Sequence, residues 1–523
     1  MNNLTGKLAS SILSIKLPFF AFVSATAAYY GFAPAYTAGS AARVVLPFAI
    51  LVITLLSLLR VLDLLPRASR RERETHVGFP VRKAYIASLF FAAGFALGIA
   101  GRGATNRASL VFTGLEDKNI IAISGKLLDD PRNTASGRGM ASLKLSASHG
   151  KKGIRASARG DVLVFFPEGS IPRLKEFGRG SAIYVEGGFA KTDSPSSYSK
   201  TPLFRAKSVH ITRPASRFDQ WRTGIRLALI KAFSPDDGRG KDWGGLALAL
   251  LLGIRDNLDS ELSKQYSNAG CSYILALSGM HLAIVSSIIA FFLKKPLGLK
   301  AAAIAGAFFI LLYVFLVGAL PSLTRATIMY VLGAIAIVFA FPVNPALLLG
   351  YSFILQIIAQ PASGDTISFI LSYLALAGIL GLGQGIAVLF RGYVPEFAAS
   401  PLSASLGAFL ATMSICILFF GSLQFVGIVA GLVLVPLTTV FMIGAMAYLP
   451  AHFIFPPLAF LAGKGLELVY LLLEKTVNIA GRFPPLLLSN VTFSITISIM
   501  LPIMVIIVCK IIHIKRNYLE KFA

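Results

Sequence analysis

Acidic residues are in short supply in this chain. Its 523 residues carry 24 Asp and Glu against 49 Lys and Arg, a formal charge of +25 at pH 7. Cysteine, histidine and tryptophan are scarcer still, at three, six and two. Each shortage excludes something. Cys271, Cys416 and Cys509 lie in or beside apolar stretches, so no disulfide framework is expected and cysteine does not reveal the redox compartment. His76, His149, His210, His281, His452 and His513 are scattered, with no H-x-H, H-E-x-x-H or Cys/His pattern, so neither a metal site nor a cofactor is expected. No G-x-x-x-x-G-K-[ST] loop is present to power work with ATP. GLGQG at 381–385 only superficially resembles a dinucleotide fingerprint, because it sits in an apolar run where glycines serve close helix packing.

Apolar sequence is what the chain has most of. Hydrophobic residues make up 55% of it, in stretches of about 20 that recur along most of its length, the mark of a polytopic α-helical membrane protein. Three spans are expected near 17–32, 45–65 and 84–101, which makes residues 1–101 an N-terminal membrane segment. The small-residue run SATAA at 24–28 resembles a cleavage site, but the first span is read as retained because so many follow. Nine more are expected near 273–293, 300–319, 322–341, 345–361, 367–390, 403–420, 425–449, 464–480 and 490–512, within a block at 272–513. The total is about 10–12 spans. The short basic loop with Arg67, Arg70, Arg71, Arg73, Arg82 and Lys83, the pair Lys294 and Lys295, and the basic tail at 514–523 are expected on the cytoplasmic side, which leaves residues 102–217 outside and both termini inside.

Between the two membrane blocks hydropathy collapses. Residues 102–217 hold five short β-rich runs, NIIAISGKLL, MASLKLSAS, GDVLVFF, SAIYVEGGFA and FRAKSVHIT, separated by turn-rich segments. The spacing suits a small β-barrel, and an OB-like fold is the natural candidate. The domain is basic. Lys126, Lys144, Lys151, Lys152, Arg155 and Arg159 are candidate phosphate contacts, and Phe165 and Tyr184 candidate stacking platforms for single-stranded nucleic acid, although such aromatics also serve as barrel core. Residues 218–271 open with an amphipathic stretch in which Arg222, Arg226 and Lys231 interleave with apolar residues; it is expected to lie in the membrane interface with Trp221 at headgroup level. GGLALALLLGI at 244–254 is too short to span and is expected to re-enter or stay interfacial.

The polar positions inside the second block carry the functional signal. SYILALSGMHLAIV at 272–285 places Ser278, Gly279 and His281 at membrane depth, where ionisable groups are expensive and face a bundle interior, a water-filled path or a substrate. Ser278 and His281 are three apart and share a helix face, a spacing compatible with a nucleophile and its base, but the nearest acid, Asp256, lies outside the helix. ALPSLTRATIMY at 319–330 places Arg325 in the first turn after a Pro321 break, either as a snorkelling charge or as a phosphate contact at the mouth of a polar path. Gln356, Gln360, Ser372, Tyr373 and Gln384 are further candidates to line that path.

Taken together, residues 245–450 resemble the competence region of the ComEC family. The resemblance runs through GLALALLLGIRDNLDSELSKQYSNAGCSYILALSGMHLAIV, LLYVFLVGALPSLTRATIMYVLGA, SFILSYLALAGIL and FFGSLQFVGIVAGLVLVPLTTV, in that order. It implies an inner-membrane channel for single-stranded DNA in natural transformation, with Gly253, Asp256, Leu258, Gly270, Ser278, Gly279, His281, Pro321, Arg325, Ser372, Gly421 and Pro436 at family-like positions. It also implies an external DNA receptor, a cytoplasmic motor and, because many relatives carry a C-terminal metallo-β-lactamase-like domain whose metal motif is missing here, a separate nuclease. By this reading the chain is not itself an enzyme, and membrane lipids are its other partners. A transporter or flippase for another anionic substrate, such as a phospholipid or polymer precursor, is the competing expectation.

Overall fold

A computed structural model describes residues 16–31, 92–106, 111–134, 138–167, 178–190, 202–234, 242–390 and 393–487, with a few isolated residues beside them. The expected span at 45–65 and the tail at 514–523 lie outside the described residues, as does nearly all of the span at 490–512.

Helices α1 (Lys16–Gly31) and α2 (92–106) meet through small residues. A side chain on Gly94 or Gly98 would run into the carbonyls of Ala21 and Ala25, so this G-x-x-x-G pair lets the two backbones touch.

The strand-rich domain is a sheet that closes on itself. Its strands are β1 (Ile120–Leu127), β2 (Arg132–Asn133), β3 (Gly139–Gly150), β4 (Arg155–Ser157), β5 (Asp161–Phe166), β6 (Ala182–Phe189) and β7 (Leu203–Arg213). Pairing runs β1–β6–β7–β5–β3 and returns to β1, with β2 and β4 added on β3. Every pair in this ring is antiparallel except β5–β7. Alternation decides which residues fill it: Val162, Val164 and Phe166 of β5 point inward with Ile123, Leu143, Ile183, Val185 and Phe204, while Asp161, Leu163 and Phe165 lie on the other side of the strand.

The membrane block follows. Helices α3 (Arg217–Phe233), α4 (Asp242–Leu252) and α5 (Ser260–Asn268) lead into α6 (Gly279–Val317), α7 (Pro321–Val338), α8 (Pro345–Ala359), α9 (Ile367–Phe390, with a π-helical turn at Ile379–Gly383), α10 (Glu396–Phe420), α11 (Val426–Ile454) and α12 (Pro456–Gly481). Among the described residues six of these, α6, α7, α9, α10, α11 and α12, are long and apolar enough to cross a membrane. Helix α6 is two antiparallel halves. A straight helix of 39 residues would be about 58 Å long at 1.5 Å per residue, yet Ser322 Oγ, just past its end, donates to Leu277 O, just before its start, at 2.6 Å. The reversal falls at Pro296 and Gly298, the latter at φ +74°, between Lys294, Lys295 and Lys300, where the sequence places a basic turn.

Two segments behave differently from expectation. Helix α4 is buried from Trp243 to Leu252 inside the protein, packed with Phe233, Phe441, Tyr448 and Leu466, which excludes the interfacial alternative and leaves the re-entrant one. Its 11 residues cannot span, so protein rather than lipid must surround them. Helix α3 exposes Phe218 and Trp221, but Arg222 does not face the interface: only 1% exposed, it turns toward the ring domain. A carboxylate that the sequence pattern does not reveal, Asp130, draws it inward.

Candidate functional site

Ser278 begins α6 as its N-cap, and the local sequence explains the geometry. Ser278 Oγ accepts from Met280 N at 3.3 Å, and His281 Nδ1 accepts from Ser278 N at 3.2 Å while lying 3.1 Å from Ser278 Oγ. This is a capping box in which a histidine takes the place usually held by Glu or Gln. The shared face expected for the two residues is therefore the reciprocal pairing of a helix end. His281 is fully buried and its Nε2 makes no hydrogen bond. Because loss of such a cap typically costs about 1 kcal/mol, Ser278→Ala should lower the thermal midpoint of the purified protein measurably, and an unchanged midpoint would remove the cap from the stability of this end.

Arg325 projects from the first turns of α7 toward that cap. It is 7% exposed. Its Nη1 donates to the backbone carbonyl of Ser372 on α9, and its guanidinium lies 5.9 Å from the centre of the Tyr373 ring. A Cβ on Gly279 would sit 3.0 Å from Arg325 Nη2, so glycine at the first helical position is what lets the guanidinium approach the helix start. Arg325 Nε has no hydrogen-bond partner, and among the described residues no carboxylate lies within ion-pair distance of Arg325. Around it, Tyr373 Oη donates to Gln356 Oε1 at 2.9 Å, and Gln356 Nε2 donates to Pro321 O at 2.8 Å. Gln360 Nε2 reaches Ala319 O at 3.4 Å. Ser372 contributes its carbonyl, and Gln384 is exposed on α9 and joins none of these bonds.

The structure therefore brings together Ser278, Gly279, His281, Arg325 and Ser372. Asp256 lies outside that group, its carboxylate accepting the amide of Asn133 in the ring domain at 3.0 Å. Gly253, Gly270 and Gly421 turn the chain at φ between +66° and +70°, Leu258 packs at the edge of the main apolar core, and Pro436 lies inside α11.

On the ring, Lys126 and Lys144 are direct register partners on β1 and β3. Tyr184 lies one row along on β6, opposite Ser124, with its ring 5.0 Å from His149. Lys151 and Arg155 sit at the end of β3 and the start of β4, and Arg159 pairs through its backbone with Phe112. Phe165 is apart from these, beside Met140 and Arg205. The side chain of Lys152 lies outside the described residues.

The sequence reading misses the joint between ring and helices. Arg222 makes a two-pronged bond to Asp130, at 2.9 and 2.7 Å, and donates through Nε to Phe315 O at 2.7 Å. Arg226 lies 3.4 Å from Asp130 and donates to Leu316 O and Val317 O. Arg179 N also donates to Asp130. The last carbonyls of α6, two turns of chain away from Ser322 and Arg325, are thus held by two arginines that also hold the ring. The available signal was scarcity, since an Asp129–Asp130 pair is conspicuous in so basic a domain. Burial pushes the Asp130 carboxyl up, but the Arg222 hydrogen bonds, the Arg226 and Arg222 charges and the Arg179 amide outweigh it and hold it below the usual range. A depressed carboxylate stabilises the fold fully above its unfolded value, about 3.9, and that contribution fades as pH falls through the lower folded value. Docking of the ring should therefore be indifferent to pH from neutrality to about 4 and weaken below it. In Asp130→Asn this acid step, followed by hydrogen exchange of the Arg179 amide, should vanish.

Apolar helices long enough to cross a membrane, packed around buried polar groups, define a multi-pass membrane protein. Residues 250–515 match the family model described as Competence protein, and the chain belongs to that family, the ComEC type. It is 27% identical over 203 residues to ComE operon protein 3 of Bacillus subtilis (strain 168), covering 38% of this chain and 25% of that protein. It is 27% identical over 272 residues to an uncharacterized protein of Aquifex aeolicus (strain VF5), covering 52% of this chain and 62% of that one. The chain thus matches less than two thirds of the length of either relative. No solved structure matches it.

Proposed function

We propose that this protein is a non-enzymatic channel that passes single-stranded DNA across the inner membrane during natural transformation. The observation that carries the reading is Arg325: a guanidinium buried at a helix start without a carboxylate among the described residues. A buried cation is costly unless an opposite charge reaches it, and helix N-terminal amides favour the same sign of ligand. A backbone phosphate supplies that charge. Family membership and the resemblance to ComE operon protein 3 support competence as the process.

In this reading the ring is OB-like, stands outside the cytoplasm and meets the strand first. Its pairing order and single parallel pair, β5–β7, support the OB-like assignment. Lys126 and Lys144, direct register partners although Lys144 also faces Asp161 across β5, and Tyr184 one row along support a face that takes phosphate and base together. An external receptor delivers DNA, a separate nuclease supplies the single strand, and a cytoplasmic motor draws it inward past Arg325; both termini are cytoplasmic. Arg222 and Arg226 are committed to Asp130 and so lend the flippase reading no support.

The test is uptake of labelled duplex DNA into a nuclease-protected cytoplasmic pool in a transformable host. Deletion of the gene should abolish uptake and the wild-type gene restore it. Undiminished uptake in the deletion strain would remove DNA import from this protein.

A further inference from the structure

Beside the Asp130 joint, the ring and the membrane block touch along a second line. Asn133 on β2 donates its amide to Asp256, which follows α4. That bond fixes Arg132 and Arg255, the residues immediately before each, on the two sides of one seam. Both are exposed. Arg255 Nη2 donates to Leu275 O at 2.9 Å, three residues before Ser278. Among the described residues neither arginine has a carboxylate within ion-pair distance. Of the nearby acids, Asp130 is taken up by Arg222 and Asp256 accepts from Asn133, while Asp129 accepts from Ser142 and feels the Arg132 charge without closing to ion-pair distance. Burial, and after it the Arg132 charge, weakens the hold of Arg255 on its proton, the direction expected where like charges are brought together. Both remain guanidinium cations. The Asn133–Asp256 bond thus sets two exposed like charges across one accessible seam, and an oxyanion between them would turn repulsion into charge-assisted bonds.

We propose that Arg132 and Arg255 form a phosphodiester-binding step, gripping the backbone of the strand where it passes from the ring to the helices and before it reaches Arg325. The proposal rests on the channel reading above and adds the residues that carry the strand across the gap between its two basic stations.

The experiment uses the full chain in nanodiscs of zwitterionic phosphatidylcholine, with a fluorescein-labelled oligothymidylate titrated at several salt concentrations. Arg132→Ala should weaken binding about tenfold to a hundredfold, the loss of one charged hydrogen bond, and reduce the salt slope by up to about 0.7, the share of one phosphate on a single strand. Arg132→Glu should weaken it further while leaving the thermal midpoint unchanged or raised, because the new carboxylate pairs with Arg255; an arginine with only a structural role would lose stability on reversal. Arg132→Ala and Arg255→Gln together should cost less than the product of the two single losses, because they share one phosphate. Wild-type affinity in Arg132→Glu, with weakened binding in Lys126→Ala/Lys144→Ala, would overturn the seam step and leave the channel reading standing. Absence of salt-dependent binding by the wild-type protein would overturn both. Unchanged oligonucleotide binding in Arg132→Glu, with less phosphatidylglycerol retained when the variant is purified from a membrane containing that lipid, would assign the pair to lipid headgroups and overturn the proposal.

Discussion

Arg325→Met should make the purified protein more stable and leave it unable to take up DNA. The guanidinium has one backbone acceptor, a Tyr373 ring and an unpartnered Nε to offset its burial. Replacing buried charge by an apolar side chain of similar volume often stabilises on the order of 1–4 kcal/mol, so the thermal midpoint should rise. If the cation serves a phosphate, its removal deletes one or two charge-assisted bonds of about 1.5–3 kcal/mol each, and uptake should fall by about a hundredfold, at roughly 1.4 kcal/mol per tenfold. Arg325→Lys should recover little, because an ammonium cannot hold the Ser372 carbonyl and a phosphate with one fork. The measurement is a melting curve beside the uptake assay at equal abundance. A variant that loses stability and keeps uptake would make Arg325 a structural residue.

Arg222→Leu should release the ring from the helices. Arg222 satisfies Asp130 and Phe315 O together, from a position 1% exposed. Removing one member of a buried pair costs about 3–5 kcal/mol; Asp130 is 22% exposed and keeps Arg226, so about 2–3 kcal/mol is expected at this joint. Amides at the joint, Arg179 foremost, should exchange faster, and the β1–β2 turn should become open to protease, while ring amides in the β3–β5 ladder stay protected. Equal protection at the joint in wild type and variant would sink the account. Asp130→Asn should show the same change more weakly, because the amide still accepts one bond.

What was legible in the sequence was what local pattern controls. Short β-rich runs such as GDVLVFF marked the strands of the ring. Lys294 and Lys295, between two expected spans, marked the reversal inside α6. Ser278, His281 and Arg325 stood out because polarity at membrane depth is rare, and they do meet. Illegible features depend on partners far apart in the chain. The charge pattern of α3 is that of an interfacial helix, and only the arrival of Asp130, 92 residues away, turns Arg222 inward. Helix α4 is apolar on every side because protein surrounds it, a condition that its 11 residues cannot announce. Asp256 looked like the acid nearest to Ser278, but its bond goes to the ring.

The capping box at Ser278 has a consequence for movement. The start of α6 is tied to α7 through Ser322 and the carbonyl of Leu277, and to Arg325 by close approach at Gly279. Parting α6 from α7 at this level means breaking the bond at Leu277 and, with it, the register of the first helical turn. Separation of the two helices here would be a local unfolding event, with an enthalpy and a temperature dependence that the sliding of two rigid cylinders lacks. Exchange of the Met280, His281 and Leu282 amides would time it.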